Sequence, residues 1–167
     1  MYGGAQLNIC ALISNVAATN WLAQNGILAF LMPDSIMSQN SYEEFRNFYI
    51  DYEKNKRLYL QKLDRWCAPL RPFKVGKKSV TQDFNTYYYS NSFVNYNIGV
   101  RVKAISKRKG INDLVVNKCQ SYEEAKTYLV EKEEYAKQLA SNSTQFTYVS
   151  KEFDFTDIIG STAYLYR

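Results

Sequence analysis

Apolar and polar positions alternate along this chain in two distinct periods. Ile9, Leu12, Ile13 and Val16 fall three or four residues apart with alanines between them, which predicts a helix over 5–24 with these four residues facing inward. Asn25 and Gly26 tolerate a left-handed backbone and end it. The next stretch, "ILAFLMP" from Ile27 to Pro33, is apolar without interruption. A short unbroken run after a helix and a tight turn predicts a strand covered on both faces, as in a parallel α/β sheet. Pro33 cannot extend the ladder. "SYEE" then opens a second helix as a capping box, with Ser41 at the N-cap and Glu44 at the third helical position. Phe45, Phe48 and Tyr49 supply its apolar face.

Further along, "LYLQKLDRW" (58–66) fits both periods, and its partial alternation favours a strand. "CAPLRPFKVGKK" is a loop, with two prolines and a glycine. "SVTQDFNTYYYS" is rich in β-branched and aromatic residues and predicts a strand. Tyr87, Tyr88 and Tyr89 cannot share one face of it. "GVRVKAISKRKG" alternates Val100, Val102 and Ala104 against Arg101 and Lys103, then ends in a basic turn. A second capping box at Ser121 predicts a helix over 121–140, with Ala125, Tyr128, Leu129 and Leu139 inside and charges outside. The flanks of the two boxes differ, so they are not an internal repeat. Strand-like pieces fill the remainder. The helical pattern starts almost at residue 1 and no polar tail closes the chain, so both ends look cut.

Composition narrows the classes. With 167 residues there is enough chain for a real core, and 46% hydrophobic content argues against disorder. The net charge of +5 permits an anionic partner. Histidine is absent, which removes His-based triads and His-ligated metal sites. Cys10, Cys67 and Cys119 are odd in number and far apart, which fits reduced, mostly buried thiols in a cytoplasmic protein. The apolar run at 27–32 is too short to span a membrane, and no signal peptide is evident.

Two places carry candidate chemistry. Asp34 and Ser35 follow the apolar strand, and in open α/β sheets ligands sit beyond the carboxyl ends of strands. The plain alternative is that they satisfy turn backbone. In the 67–78 loop, Phe73 stands among Arg71, Lys74, Lys77 and Lys78. Aromatics stack on unpaired bases and cations pair with phosphates. The alternative is a core-plugging Phe beside solvated lysines. "SKRKG" (106–110) is a basic turn, most simply a solvated one. No GxGxxG, GxxxxGK[ST] or GxSxG motif occurs, and no complete catalytic constellation is visible.

The order of segments resembles the C-terminal half of the catalytic domain of N6-adenine DNA methyltransferases of the type IIG restriction–modification and phage-exclusion kind. The likeness rests on a helix, "NGILAFLMPDS", a capped helix carrying Arg46, then "PFKVGKKSVTQDFNTYYY". It covers residues 5–90 well and the rest loosely. It implies an α/β fold: a partial Rossmann-like methyltransferase sheet with flanking helices over 1–95, and a mixed extension over 96–167 leading to a target-recognition region. It implies that Phe73 stacks on an adenine flipped from double-stranded DNA, with Asp34, Ser35, Lys74, Lys77 and Lys78 near that base or its strand. The cofactor of the intact enzyme would be S-adenosylmethionine. The glycine motif that binds it and the catalytic Asn-Pro-Pro-aromatic motif are missing here, and in this family both lie upstream. The resemblance therefore implies a fragment, inactive without the N-terminal half of the same polypeptide. The alternatives are a stand-alone nucleic-acid-binding or specificity module, or another α/β enzyme.

Overall fold

The computed structural model describes residues 9–67, 74–75, 78–79, 82–116 and 118–150. Helix α1 (Ile9–Asn20) leads into strand β1 (Leu28–Pro33), followed by two 3-10 turns (Asp34–Met37 and Asn40–Tyr42) and α2 (Glu43–Asn47). Strands β2 (Tyr49–Asp51), β3 (Lys56–Arg57) and β4 (Tyr59–Trp66) come next, then β5 (Lys74–Val75), β6 (Lys78–Ser79) and β7 (Phe84–Ser90). The last part holds β8 (Val100–Lys107), α3 (Asp113–Val116), α4 (Tyr122–Lys126), β9 (Leu129–Gln138) and β10 (Phe146–Ser150). Six strands form one sheet in the order β1-β7-β4-β8-β9-β10. The pair β4–β8 is parallel and the other neighbours are antiparallel. The fold is thus mixed α/β, with a mixed sheet continuous across residue 95.

The core lies on one face of this sheet. Tyr87, Tyr89, Leu63, Val100, Val102 and Ala136 point into it and are nearly fully buried. Phe30, Phe45, Phe48 and Tyr89 pack ring to ring over β1 and β7, with Phe48 and Tyr89 centroids 4.8 Å apart at 74°. Phe48 ends α2 in the left-handed region at φ 40°, a conformation costly for an aromatic residue. Burial of its ring and a hydrogen bond from Leu58 N–H to its carbonyl hold it there. Tyr88 lies on the opposite face, its hydroxyl donating to Asp64 across 2.7 Å, so the three tyrosines divide as their spacing requires.

The sheet coils strongly. Three strands separate β7 from β10 in the order, yet the Tyr148 hydroxyl of β10 lies 2.9 Å from Asn85 Nδ2 of β7. The same closure joins Arg46 of α2 to Thr144 and Gln145 to Ser38. Strand twist accumulates over six strands in one sense, which brings distant strands together over the core.

Several expectations fail here, each for a physical reason. β1 is not covered on both faces and the sheet is not parallel at that place. β1 is an edge strand antiparallel to β7, and Ala29 and Leu31 are exposed on its outer face. α1 presents its small residues to the core, with Ala11, Ser14 and Ala18 buried, while Ile9, Leu12, Ile13 and Val16 are 66%, 51%, 55% and 42% exposed. Small side chains let the helix approach the sheet closely. Ser41 is not an N-cap: Tyr42 occupies that position, without a side-chain cap bond, after a 3-10 turn. Ser121 does cap α4, accepting from Glu124 N–H at 3.2 Å, but the helix stops at Lys126 and the rest of the expected helix is β9. The thiols are not mostly buried, since Cys10 is exposed and Cys67 and Cys119 are half-buried. Among the described residues, no helix is long and apolar enough to cross a membrane.

Candidate functional site

Pairing register defines one rim of the sheet. Pro33 pairs with Phe84, Phe84 with Trp66, and Trp66 with Ile105. The carboxyl ends of β1, β4 and β8 therefore lie side by side with the amino end of β7. Asp34 and Ser35 follow β1 at this rim. Cys67, after β4, and Asp83, before β7, lie at the same rim: Cys67 N–H donates to Ile105 carbonyl across 2.8 Å and Asp34 N–H to Asp83 carbonyl across 2.9 Å. The basic stretch 106–110 closes β8 and turns at the same rim, with Arg108 and Lys109 exposed. Lys74 and Lys78 belong to the β5–β6 hairpin, which the 67–83 segment carries. Phe73 and Lys77 lie outside the described residues.

Asp34 does more than serve its own turn. Its Oδ1 accepts from Asn85 Nδ2 at 2.6 Å and from the Tyr148 hydroxyl at 2.5 Å. Asn85 is fully buried, and among the described residues its Oδ1 has no hydrogen-bond partner. The Tyr87 hydroxyl donates to Pro33 carbonyl across 2.8 Å, tying β7 to the end of β1. Burial, followed by the field of Asp34, raises the Tyr148 hydroxyl far above its ordinary range, so it stays a donor. The Arg65 guanidinium lies 4.2 Å from the Tyr148 ring centroid and pairs with Glu134 at 3.0 Å. Ser35 supplies backbone to the turn, its carbonyl accepting from Gln39 N–H at 2.9 Å.

Cys67 stands at this rim too, and burial raises its thiol pKa against the opposing pull of Arg65. A raised thiol is a poor nucleophile at neutral pH. The rim brings together a carboxylate, a buried amide, buried phenol hydroxyls and nearby cations. Asn85 and Tyr148 escaped the sequence-based choice of site residues. Alternation held a signal for the first, because Asn85 shares a strand face with the buried Tyr87 and Tyr89. Tyr148 reaches Asp34 from 114 residues away, and no local pattern reports that. No family model, curated protein or solved structure matches the chain.

Proposed function

We propose that this chain is the C-terminal half of the catalytic domain of an adenine-specific DNA methyltransferase, of a restriction–modification or phage-defence system. The intact enzyme would transfer a methyl group from S-adenosylmethionine to N6 of adenine in double-stranded DNA. One observation carries most of the reading: Asp34 and Ser35, the residues Cys67 and Asp83 that flank the aromatic-basic segment, and the basic turn at the end of β8 meet at one rim of the sheet. Those places hold or flank the polar, aromatic-basic and basic features of the sequence. A base lifted from the duplex needs a ring to stack on and acceptors for its amino group. Phe73 would provide the ring, Asp34 an acceptor, and Lys74, Lys77 and Lys78 the contacts to the strand. Ser35 would border the pocket. The finer fold reading, a partial Rossmann-like sheet with a target-recognition region beginning after it, belongs to the same proposal.

The β1 edge supports this reading from another side. Residues 1–33 contain no charged residue, while all 37 Lys, Arg, Asp and Glu lie beyond them. Natural sheet edges are ordinarily guarded by charge, bulge or cover. A bare edge beside an exposed apolar helix face fits a seam where further strands and helices continue the sheet. The missing N-terminal half, with the glycine motif for the cofactor and the Asn-Pro-Pro-aromatic motif, would lie there. The sequence of this chain contains no GxGxxG motif to cradle a cofactor. S-adenosylmethionine is therefore assigned to the absent half.

Fluorescence anisotropy with duplex DNA containing one extrahelical adenine tests the DNA-facing role. Binding should exceed that of the fully paired duplex, fall with salt, and weaken in Phe73→Ala. Equal affinity for both duplexes, unchanged by Phe73→Ala, would remove the base pocket. The coding DNA upstream of Met1 is the second test, since an in-frame Asn-Pro-Pro-aromatic run is expected there. Its absence from a continuous upstream frame would favour a stand-alone binding module.

A further inference from the structure

At the other end of the sheet a cavity of about 210 Å³ opens between the start of β4, the loop after β7 and the start of β10. Its walls include Arg46, Arg57, Tyr59, Asn95, Gln138 and Thr144, and among the described residues that line it none is Asp or Glu. Two arginines thus line one small space with no carboxylate among its described lining residues.

Arg46 is 7% exposed. Its guanidinium donates to the carbonyls of Ile36 (2.8 Å) and Gln39 (2.6 Å) and to the Thr144 hydroxyl (3.0 Å). All three acceptors are neutral. Burial lowers its pKa, with Glu43 the first opposing influence, so desolvation outweighs the field of that carboxylate. The Arg57 guanidinium stacks on ring faces, 4.6 Å from the Tyr59 centroid and 5.9 Å from that of Tyr49. Neither arginine takes part in an ion pair among the described residues. Burial of Arg46 among neutral acceptors costs free energy, whereas the hydrogen bond to Tyr59 raises the pKa of Arg57 and keeps it a cation at the wall. An anion in the cavity would offset the burial of Arg46 and pair with the charge of Arg57.

We infer that this cavity binds a phosphate group, either free or as the monoester of a small molecule. Guanidinium groups match the oxygens of phosphate by paired, charge-assisted hydrogen bonds. Asn95 and Gln138 add amide donors at the same wall. The site is separate from the rim: β4 runs eight residues between them, about 23 Å at roughly 3.3 Å per residue. The inference therefore stands independently of the methyltransferase reading.

The test uses the full chain, ¹⁵N-labelled, titrated with inorganic phosphate and separately with glycerol 3-phosphate, at constant ionic strength maintained with chloride. Saturable shifts are expected at the amides of Asn47, Asn95 and Gln138. Tighter binding of glycerol 3-phosphate would identify the ester as the ligand, and tighter binding of inorganic phosphate the free anion. Arg57→Gln should weaken binding about tenfold or more, the scale of one lost charge-assisted contact. Asn95→Asp places a carboxylate at an exposed position of the wall and should abolish binding while keeping the fold. Arg101→Gln, exposed on β8 away from the cavity, should change nothing. Shifts that never saturate overturn the inference. So does binding that is unchanged in both Arg57→Gln and Asn95→Asp, or lost equally in Arg101→Gln.

Discussion

The Tyr148 hydroxyl donates to the Asp34 carboxylate across 2.5 Å and so joins the last strand of the sheet to the end of the first. Asn85 completes the junction by donating to the same oxygen at 2.6 Å. The contact closes the coil of the sheet and also orients the carboxylate proposed for base recognition.

Tyr148→Phe removes the donor and leaves the ring. One hydrogen bond to a charged acceptor contributes about 1.5–3 kcal/mol, so urea unfolding should show a loss of about 2 kcal/mol. The urea midpoint should fall with an unchanged slope. A variant as stable as the parent would show that the junction does not hold the sheet closed.

Self-association follows from the β1 edge. Leu31 is 42% exposed on an edge strand without charge, and Ile13 is 55% exposed on the helix beside it. Light scattering of the isolated chain should report oligomers, and Ile13→Glu with Leu31→Lys should shift it toward monomer. A monodisperse parent chain with a cooperative melt would count against the exposed seam and against the fragment reading built on it.

Alkaline pH should unfold the protein. Burial first, and then its hydrogen bond to Asp64, pushes Tyr88 up to about 12, and burial pushes Tyr96 up to about 12 from an ordinary value of 10.0. Tyr87, Tyr89 and Tyr148 are raised as well, by burial foremost. A tyrosine whose folded pKa is raised keeps its stabilising effect below the unfolded pKa. That effect is lost as pH climbs through the folded one. Stability should therefore hold up to about pH 10 and fall steeply between about 10 and 12. Tyrosinate absorbance should appear together with the loss of circular dichroism. Complete tyrosine ionisation before any unfolding would contradict the burial of these rings.

Phe73 separates two roles. In the proposed methyltransferase, a ring stacked on an extrahelical adenine predicts that Phe73→Ala slows methylation roughly ten- to a hundredfold, and that Phe73→Trp retains most of the rate. A core-plugging Phe predicts a melt lowered by several kcal/mol in Phe73→Ala, with Phe73→Leu milder than Phe73→Trp. Melting and rate measured on the three variants distinguish these patterns. A much lower melt with a normal rate per folded molecule would end the stacking assignment.

Local pattern determined a definite part of this protein. The helix at residue 9, the turn at Asn25, and strands at 28–33, 59–66, 84–90 and 100–107 all follow from period, turn chemistry and β-branched or aromatic content. So does the division of Tyr87 and Tyr89 from Tyr88, because side chains alternate on any strand. The cap at Ser121 was legible for the same reason, being a bond between residues three apart. Asp34 and Ser35 were legible as residues beyond a strand end, but their partners were not.

Tertiary structure decided the rest. "LVEKEEYAKQ" is rich in good helix formers, yet it is a strand of ten residues. β8 offers it a full ladder, from Leu129 opposite Lys107 to Ala136 opposite Val100, and Lys103 pairs with Glu131 at 3.3 Å. Those hydrogen bonds and charge pairs exceed the few tenths of a kcal/mol per residue that separate helix from strand preference. The large apolar face of α1 looked inward by period, but period reports that two faces differ and not which one a sheet can approach. Ala11, Ser14 and Ala18 won that contact because a helix backbone comes closer to a sheet over small side chains than over large ones. Tyr148 meets Asp34 because twist accumulates across every strand of the sheet, a sum over the whole fold that no window of sequence contains.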